Sequence, residues 1–180
     1  MKSVWILICG CVLLTACSGN GNIFSKKQSA TAILAPTKGN TVSGTVNFTQ
    51  KGEMVLVEAK INGLKPNGSN GIHVHEKGNC SAADVSSAGS HFNPSSSQHG
   101  GPAGATRHGG DLGNLKPDAN GYAQMSVEVG GISLGTEPNS IIGRAVIVHA
   151  GADDLKTQPS GNSGARVACG LVSKNPDKFF

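Results

Sequence analysis

A chain of 180 residues carrying a net charge of +4 suits a single domain, and its modest charge gives no polyanion-binding surface by itself. Charged residues make up only 14% and aromatics 4%, and there is no dense Lys/Arg run or interleaved aromatic series, which argues against nucleic-acid recognition. Glycine is abundant at 26 residues, but 37% of the chain is apolar and falls in short alternating runs, which favours a loop-rich β domain over a disordered tail.

The first residues read as a targeting segment. Lys2 gives a positive start, and Val4 to Leu14 form an apolar core too short to span a bilayer comfortably. The segment closes on Leu14-Thr15-Ala16-Cys17, which resembles a bacterial lipobox. That resemblance implies removal of residues 1–16 and a lipid on Cys17, with the chain held at a membrane of the cell envelope on its periplasmic or extracellular side. An ordinary cleaved signal peptide, or an uncleaved anchor with Cys17 incidental, is the alternative. Residues 17–29 are polar and glycine-containing and read as a tether. The remaining chain, 30–180, is expected to form the domain.

The five cysteines agree with export. Cys9 and Cys11 lie in the segment to be removed and Cys17 is the lipidation candidate, so one pair remains, Cys80 and Cys169. In an oxidising compartment that pair reads as a disulfide. The loop it would close is long, so its effect on the unfolded chain is on the order of 4 kcal/mol.

From Ala30 onward the signals are strands. Thr31 to Ala35 is a short apolar run, and Thr41 to Thr49 alternates through Val42, Val46 and Phe48. Glu53 to Ile61 sets Val55, Val57, Ala59 and Ile61 on one face and Glu58 and Lys60 on the other. Such period-two patterning predicts half-buried strands. Gly71 to Glu76 is a further run, and after it comes a long Gly-, Ser-, Pro- and His-rich stretch, a length of loop that in compact domains is usually functional. Strand signals resume near Asp111 and over Gly121 to Val129, Ile141 to Ala150 and Ala165 to Val172, with turn residues between them. No long amphipathic helix and no repeat is visible. The prediction is an all-β domain, an eight-stranded antiparallel sandwich or flattened barrel with two long functional loops.

The six histidines are His73, His75, His91, His99, His108 and His149. His73 and His75 lie on one strand with Val74 between them, so both imidazoles point to the same face, roughly 6.5–7 Å apart at the backbone. That spacing lets two rings share one metal. His149 ends the apolar run Ala145 to Val148. His91, His99 and His108 share the glycine-rich loop, with Asp111 three residues after His108. Three imidazoles and a carboxylate suit a tetrahedral zinc site. Taken singly, each histidine has an ordinary structural explanation; together the explanations must account for why none lies outside the set.

The segments GIHVHE, SAGSHFNP, QHGGP, RHGGDLGN, IIGRAVIVHA and GNSGARVACG resemble, in order, the metal-site and active-site segments of the copper–zinc superoxide dismutase family. The resemblance runs from about Ala30 to Val172. It implies a Greek-key, immunoglobulin-like sandwich. It implies one copper held by His73, His75, His91 and His149, and one zinc held by His91, His99, His108 and Asp111, with His91 shared between them. Four nitrogens suit Cu(II), and three nitrogens with a carboxylate suit zinc. Asp153 matches the aspartate that bonds the outer nitrogens of His73 and His99. Arg166 matches the arginine that attracts the anionic substrate beside copper, and a Cys80–Cys169 bridge would hold that region.

What the resemblance implies is a superoxide dismutase, converting two superoxide radicals to dioxygen and hydrogen peroxide by Cu(II)/Cu(I) cycling, with His91 and Arg166 as the catalytic side chains. The expected role is protection of the cell envelope. A copper-binding envelope lipoprotein without turnover is the alternative. Three features depart from the family pattern familiar in eukaryotes. The His75 to Cys80 segment is short, and Lys77 stands where an apolar residue is usual in dimers, which leaves monomer and homodimer both open. The loop from Ala150 to Gly164 is short and has Pro159 in place of a lysine, with Lys156 a candidate for the missing charge. The tail from Ser173 to Phe180 suggests no role.

Overall fold

The computed structural model describes residues 28–175. The targeting segment 1–16, Cys17, the tether up to residue 27 and the tail after residue 175 lie outside the described residues. Eight strands follow in chain order: β1 (Ser29–Pro36), β2 (Ser43–Lys51), β3 (Met54–Asn62), β4 (Asn70–His75), β5 (Asp111–Leu115), β6 (Ala123–Val129), β7 (Ala145–His149) and β8 (Arg166–Ser173). They pair antiparallel throughout, in the order β5-β4-β7-β8-β1-β2-β3-β6. The two end strands of that series, β5 and β6, approach each other and nearly close a barrel. Around the ring β4, β5 and β6 lie in succession and β7 returns beside β4, which is a Greek key.

The alternation read from the sequence sets the core. In β3, Val55, Val57, Ala59 and Ile61 are fully buried, while Glu58 and Lys60 face solvent. Phe48, Val46, Leu112, Leu115, Ile132, Leu134 and Ile141 fill the same interior. The predicted strands all form, with ends displaced by up to four residues. The largest displacement is at β7, where Ile141 to Arg144 make a turn, closed by the Arg144 amide on the Ile141 carbonyl. At the start, β1 takes in Ser29, assigned to the tether, because Ser29 pairs with Thr49.

Strands β4 and β7 are buried on both faces. Ile72, Val74, Val146 and Val148 point into the barrel. The alternate residues, including His73, His75, Ala145 and Ile147, point outward and are roofed by the long loops 76–110 and 150–165. A 3-10 turn at Ser86–Ala88, which the sequence pattern did not reveal, sets Val85 and Ala88 on Ala145, Ile147 and Cys169 as a second small core. The Cys80–Cys169 disulfide, with Cα atoms 6.0 Å apart, ties this loop to β8. Among the described residues no helix is long and apolar enough to cross a membrane.

Candidate metal centre

The outward face of the β4–β7 wall carries the first histidines. His73 pairs with Asp111 on β5, and His75 pairs with Ala145 on β7 and bridges to His91 in the long loop. His149 ends β7 opposite Arg166 on β8. The ladder shifts register at Gly71/His73 and again at Val148/His149. Such irregularities re-aim side chains, and here both fall beside a histidine of the cluster.

The structure brings all six histidines and Asp111 together as two overlapping sets. His73, His75, His91 and His149 converge with donor atoms within 4.8 Å of one another, and so do His91, His99, His108 and Asp111. All seven side chains are buried. One nitrogen of each imidazole is orphaned in the protein fold: Nδ1 of His73, His99 and His108, and Nε2 of His75, His91 and His149. A buried polar atom without a partner costs about 1–3 kcal/mol, so six in one cluster need an external partner. Nδ1 of His99 and Nδ1 of His108 lie 3.1 and 3.3 Å from Asp111 oxygens without making a hydrogen bond. Atoms bound about 2 Å from one tetrahedral ion sit about 3.3 Å apart, so these separations are those of neighbouring ligands.

The donor chemistry therefore fits both metals. Nδ1 of His73 and Nε2 of His75, His91 and His149 make an all-nitrogen set suited to copper. Nδ1 of His91 lies 2.9 Å from Asp111 Oδ1 and, with Nδ1 of His99 and His108, completes a set suited to zinc. His91 thus presents one nitrogen to each set. Its ring stacks on His73 with centroids 3.9 Å apart.

The opposite ring nitrogens are pinned, which fixes each imidazole's orientation. Asp153 spans the two sets, with Oδ2 2.8 Å from Nε2 of His73 and Oδ1 2.9 Å from Nε2 of His99. Nδ1 of His75 is 2.9 Å from the Gly89 carbonyl, and Nδ1 of His149 is 3.1 Å from that of Gly164. Asp153 is itself clamped by Asn114 on β5, which donates from Nδ2 to the Asp153 carbonyl and accepts the Asp153 amide at Oδ1, both at 2.8 Å. Sequence reasoning found Asp153 but not Asn114 or the two glycine carbonyls. Asn114 had one local signal, a polar amide in an apolar strand; carbonyl partners have none.

Electrostatics keep four of the rings, His73, His75, His108 and His149, neutral, the form that binds metal. Burial, with nearby His91 adding to it, holds His75 down to about 2. Burial likewise holds His149 to about 4 and lowers His73 and His108. For Asp111 burial would raise the pKa, but hydrogen bonds from His91 and from the Gly100 and His108 amides outweigh it and hold the carboxyl at about 2. The site therefore offers an ionised carboxylate and, at His73, His75, His108 and His149, neutral imidazoles at neutral pH.

A cleft of about 420 Å3 leads from solvent to His75, His91, His108 and His149. Arg166 stands on its wall and is the one lysine or arginine lining it among the described residues. Its guanidinium donates to the Val85 carbonyl at 2.6 Å and the Gly89 carbonyl at 2.7 Å, so the disulfide-tied loop aims it. Lys156 is exposed and does not line the cleft. Pro159, Ser160 and Glu76 do.

Residues 42–172 match the family model described as copper/zinc superoxide dismutase. A protein named Superoxide dismutase [Cu-Zn], from Paramecium bursaria Chlorella virus 1, is 39% identical over 175 residues, which cover 93% of this chain and 90% of that one.

Proposed function

The chain belongs to the copper/zinc superoxide dismutase family, and from that premise we propose that it works as an exported, lipid-anchored enzyme that removes superoxide at the cell envelope. Its activity is superoxide dismutation, and its cofactors are one copper and one zinc ion. The observation that carries the activity is the convergence of six orphaned imidazole nitrogens and one carboxylate beneath a cleft with Arg166 on its wall. When bound, copper supplies one-electron exchange in both directions with superoxide, while zinc supplies a fixed positive charge without redox chemistry.

The protein's own groups account for the rest. Arg166 draws the anion into the cleft and, with two of its nitrogens tied to carbonyls, offers it a fixed guanidinium face. His91 lines the cleft, and its Nε2 is free of protein partners while Nδ1 faces Asp111. Nε2 of His91 is thus the atom at which this chain can hold a proton and pass it to the reduced product. Asp153 keeps His73 and His99 from turning while that happens.

Export is supported by the positive start, the short apolar core and the Leu14-Thr15-Ala16-Cys17 sequence, and it agrees with the Cys80–Cys169 disulfide. Metal analysis and a superoxide-consumption assay on one preparation test the activity: a sample holding both metals without turnover leaves only copper binding. Cys17→Ser tests the location. Its expected result is an active protein released from membranes; a variant that stays membrane-bound points to residues 4–14 as the anchor.

A further inference from the structure

Loop 150–165 grips the zinc set twice, and the second grip is made by a residue that neither the family segments nor the metal geometry singles out. The first grip is Asp153 on the His99 ring. The second is Gln158. Its Oε1 accepts the His99 amide at 2.8 Å, and its Nε2 donates to the His99 carbonyl at 3.0 Å. A primary amide carries a donor and an acceptor side by side, which matches the N–H and C=O of a single residue, so both arms close on His99. No other backbone group serves the His99 amide or carbonyl among the described residues. Nε2 also reaches the Lys156 carbonyl at 3.1 Å, which holds the side chain in its own loop.

His99 comes from an irregular loop, where no ladder fixes the backbone, and yet its Nδ1 must lie 3.1 Å from an Asp111 oxygen. The Asp153 contact sets the rotation of the ring and the Gly100 amide donates to Asp111 Oδ2 at 3.1 Å, but neither holds the His99 amide, which leaves that side of the residue free to drift. Gln158 removes that freedom. We propose that Gln158 is a positioning residue for zinc: it holds the His99 backbone so that zinc is retained, without touching the metal. The proposal rests on the zinc reading of His91, His99, His108 and Asp111.

The test uses full-length purified protein loaded with copper and zinc, and follows zinc release to excess chelator. Gln158→Ala should release zinc about tenfold faster than wild type, the scale on which removing a ligand's supporting partner acts. Gln158→Glu keeps the acceptor arm and loses the donor arm, so its release rate should fall between the two. The visible spectrum of cobalt placed in the zinc position should change in both variants. The copper electron-spin spectrum and the thermal unfolding of the metal-free proteins should stay as in wild type. Lys156→Ala, which alters an exposed neighbour in the same loop, should match wild type throughout. Wild type that retains zinc while Gln158→Ala releases it within twofold of the same rate overturns the proposal alone. Copper and zinc lost together, or a lower unfolding temperature in both Gln158 variants, also overturns it, since that marks a general structural role. Wild type that takes up no zinc overturns the metal reading and the proposal with it.

Discussion

One oxygen of Asp153 lies 2.8 Å from Nε2 of His73, and the residue thereby fixes a strand imidazole from a loop that is far along the chain. Its other oxygen takes Nε2 of His99, so one buried carboxylate ties the copper set to the zinc set. With Nδ1 of each ring given to metal, both Nε2 atoms carry hydrogen and both need an acceptor. Asp153→Asn turns one acceptor into a donor facing a donor. We expect zinc affinity to fall by about 10–100-fold and the copper spectrum to change. Chelator competition and electron-spin resonance measure the two effects, and an asparagine variant with wild-type affinity and spectrum would remove Asp153 from the design.

Gly161 makes that bridge possible. Its φ is +69°, and a Cβ there would collide with Oδ1 of Asp153 and sit 2.6 Å from Nε2 of His99. Gly161→Ala should lose zinc and cost about 1–3 kcal/mol of stability. Gly39→Ala is the matched control, because Gly39 has φ +82° but open space around it. That variant should keep its zinc and show only the backbone penalty. Equal metal loss in both would mean that crowding at Asp153 is not the cause.

The strands, the histidines and the disulfide were legible because each leaves a local mark. Alternation marks β3, as Val55 to Ile61 show, and His-Val-His on a strand puts two rings on one face. The overlap of two ligand sets at His91 came from the family segments, since nothing local to residue 91 records what it faces. The supports around the rings were the illegible part. Gly89 and Gly164 act through carbonyls that every residue has, and the 3-10 turn at Ser86–Ala88 spans too few residues to show a period. Lys156 illustrates the converse: a charge in the right loop is not a charge in the cleft, because the turn of the chain points it to solvent.

The metal-free protein should lose stability in acid in two steps. His149 and His75 have pKa values held down to about 4 and about 2 by burial, against about 6.5 in an unfolded chain. The unfolded state therefore binds more protons below pH 6.5, and stability falls as the pH drops from there toward 4 for His149 and further for His75. For His149 alone the loss is on the order of 3 kcal/mol. Asp111 adds the second step, because its stabilising effect is present above its ordinary value of 3.8 and is lost as pH falls toward 2. Denaturant midpoints of the metal-free protein at pH 7, 5.5 and 4.5 measure the first step. A flat profile over that interval would show that the imidazoles are not held neutral by the fold.

Arg166 gives the most direct test of how the cleft works. Its two carbonyl contacts, at 2.6 and 2.7 Å, fix the guanidinium to the loop that the disulfide ties down. Arg166→Glu reverses the charge met by an incoming anion and sets a carboxylate against the Val85 and Gly89 carbonyls. Two unit charges about 6 Å apart interact by roughly 3 kcal/mol at an effective dielectric near 20, so the change should lower the rate by about two orders of magnitude with both metals still bound. Arg166→Lys keeps the charge but cannot hold both carbonyls in the plane of one group, so its loss should be smaller. Salt should slow the wild type and the lysine variant by screening attraction, and should speed the glutamate variant by screening repulsion. The measurement is the rate constant for superoxide loss against ionic strength in the three proteins, with metal content determined on each sample. If all three share one rate and one salt dependence, Arg166 does not guide the substrate, and the positive field must come from the metals alone.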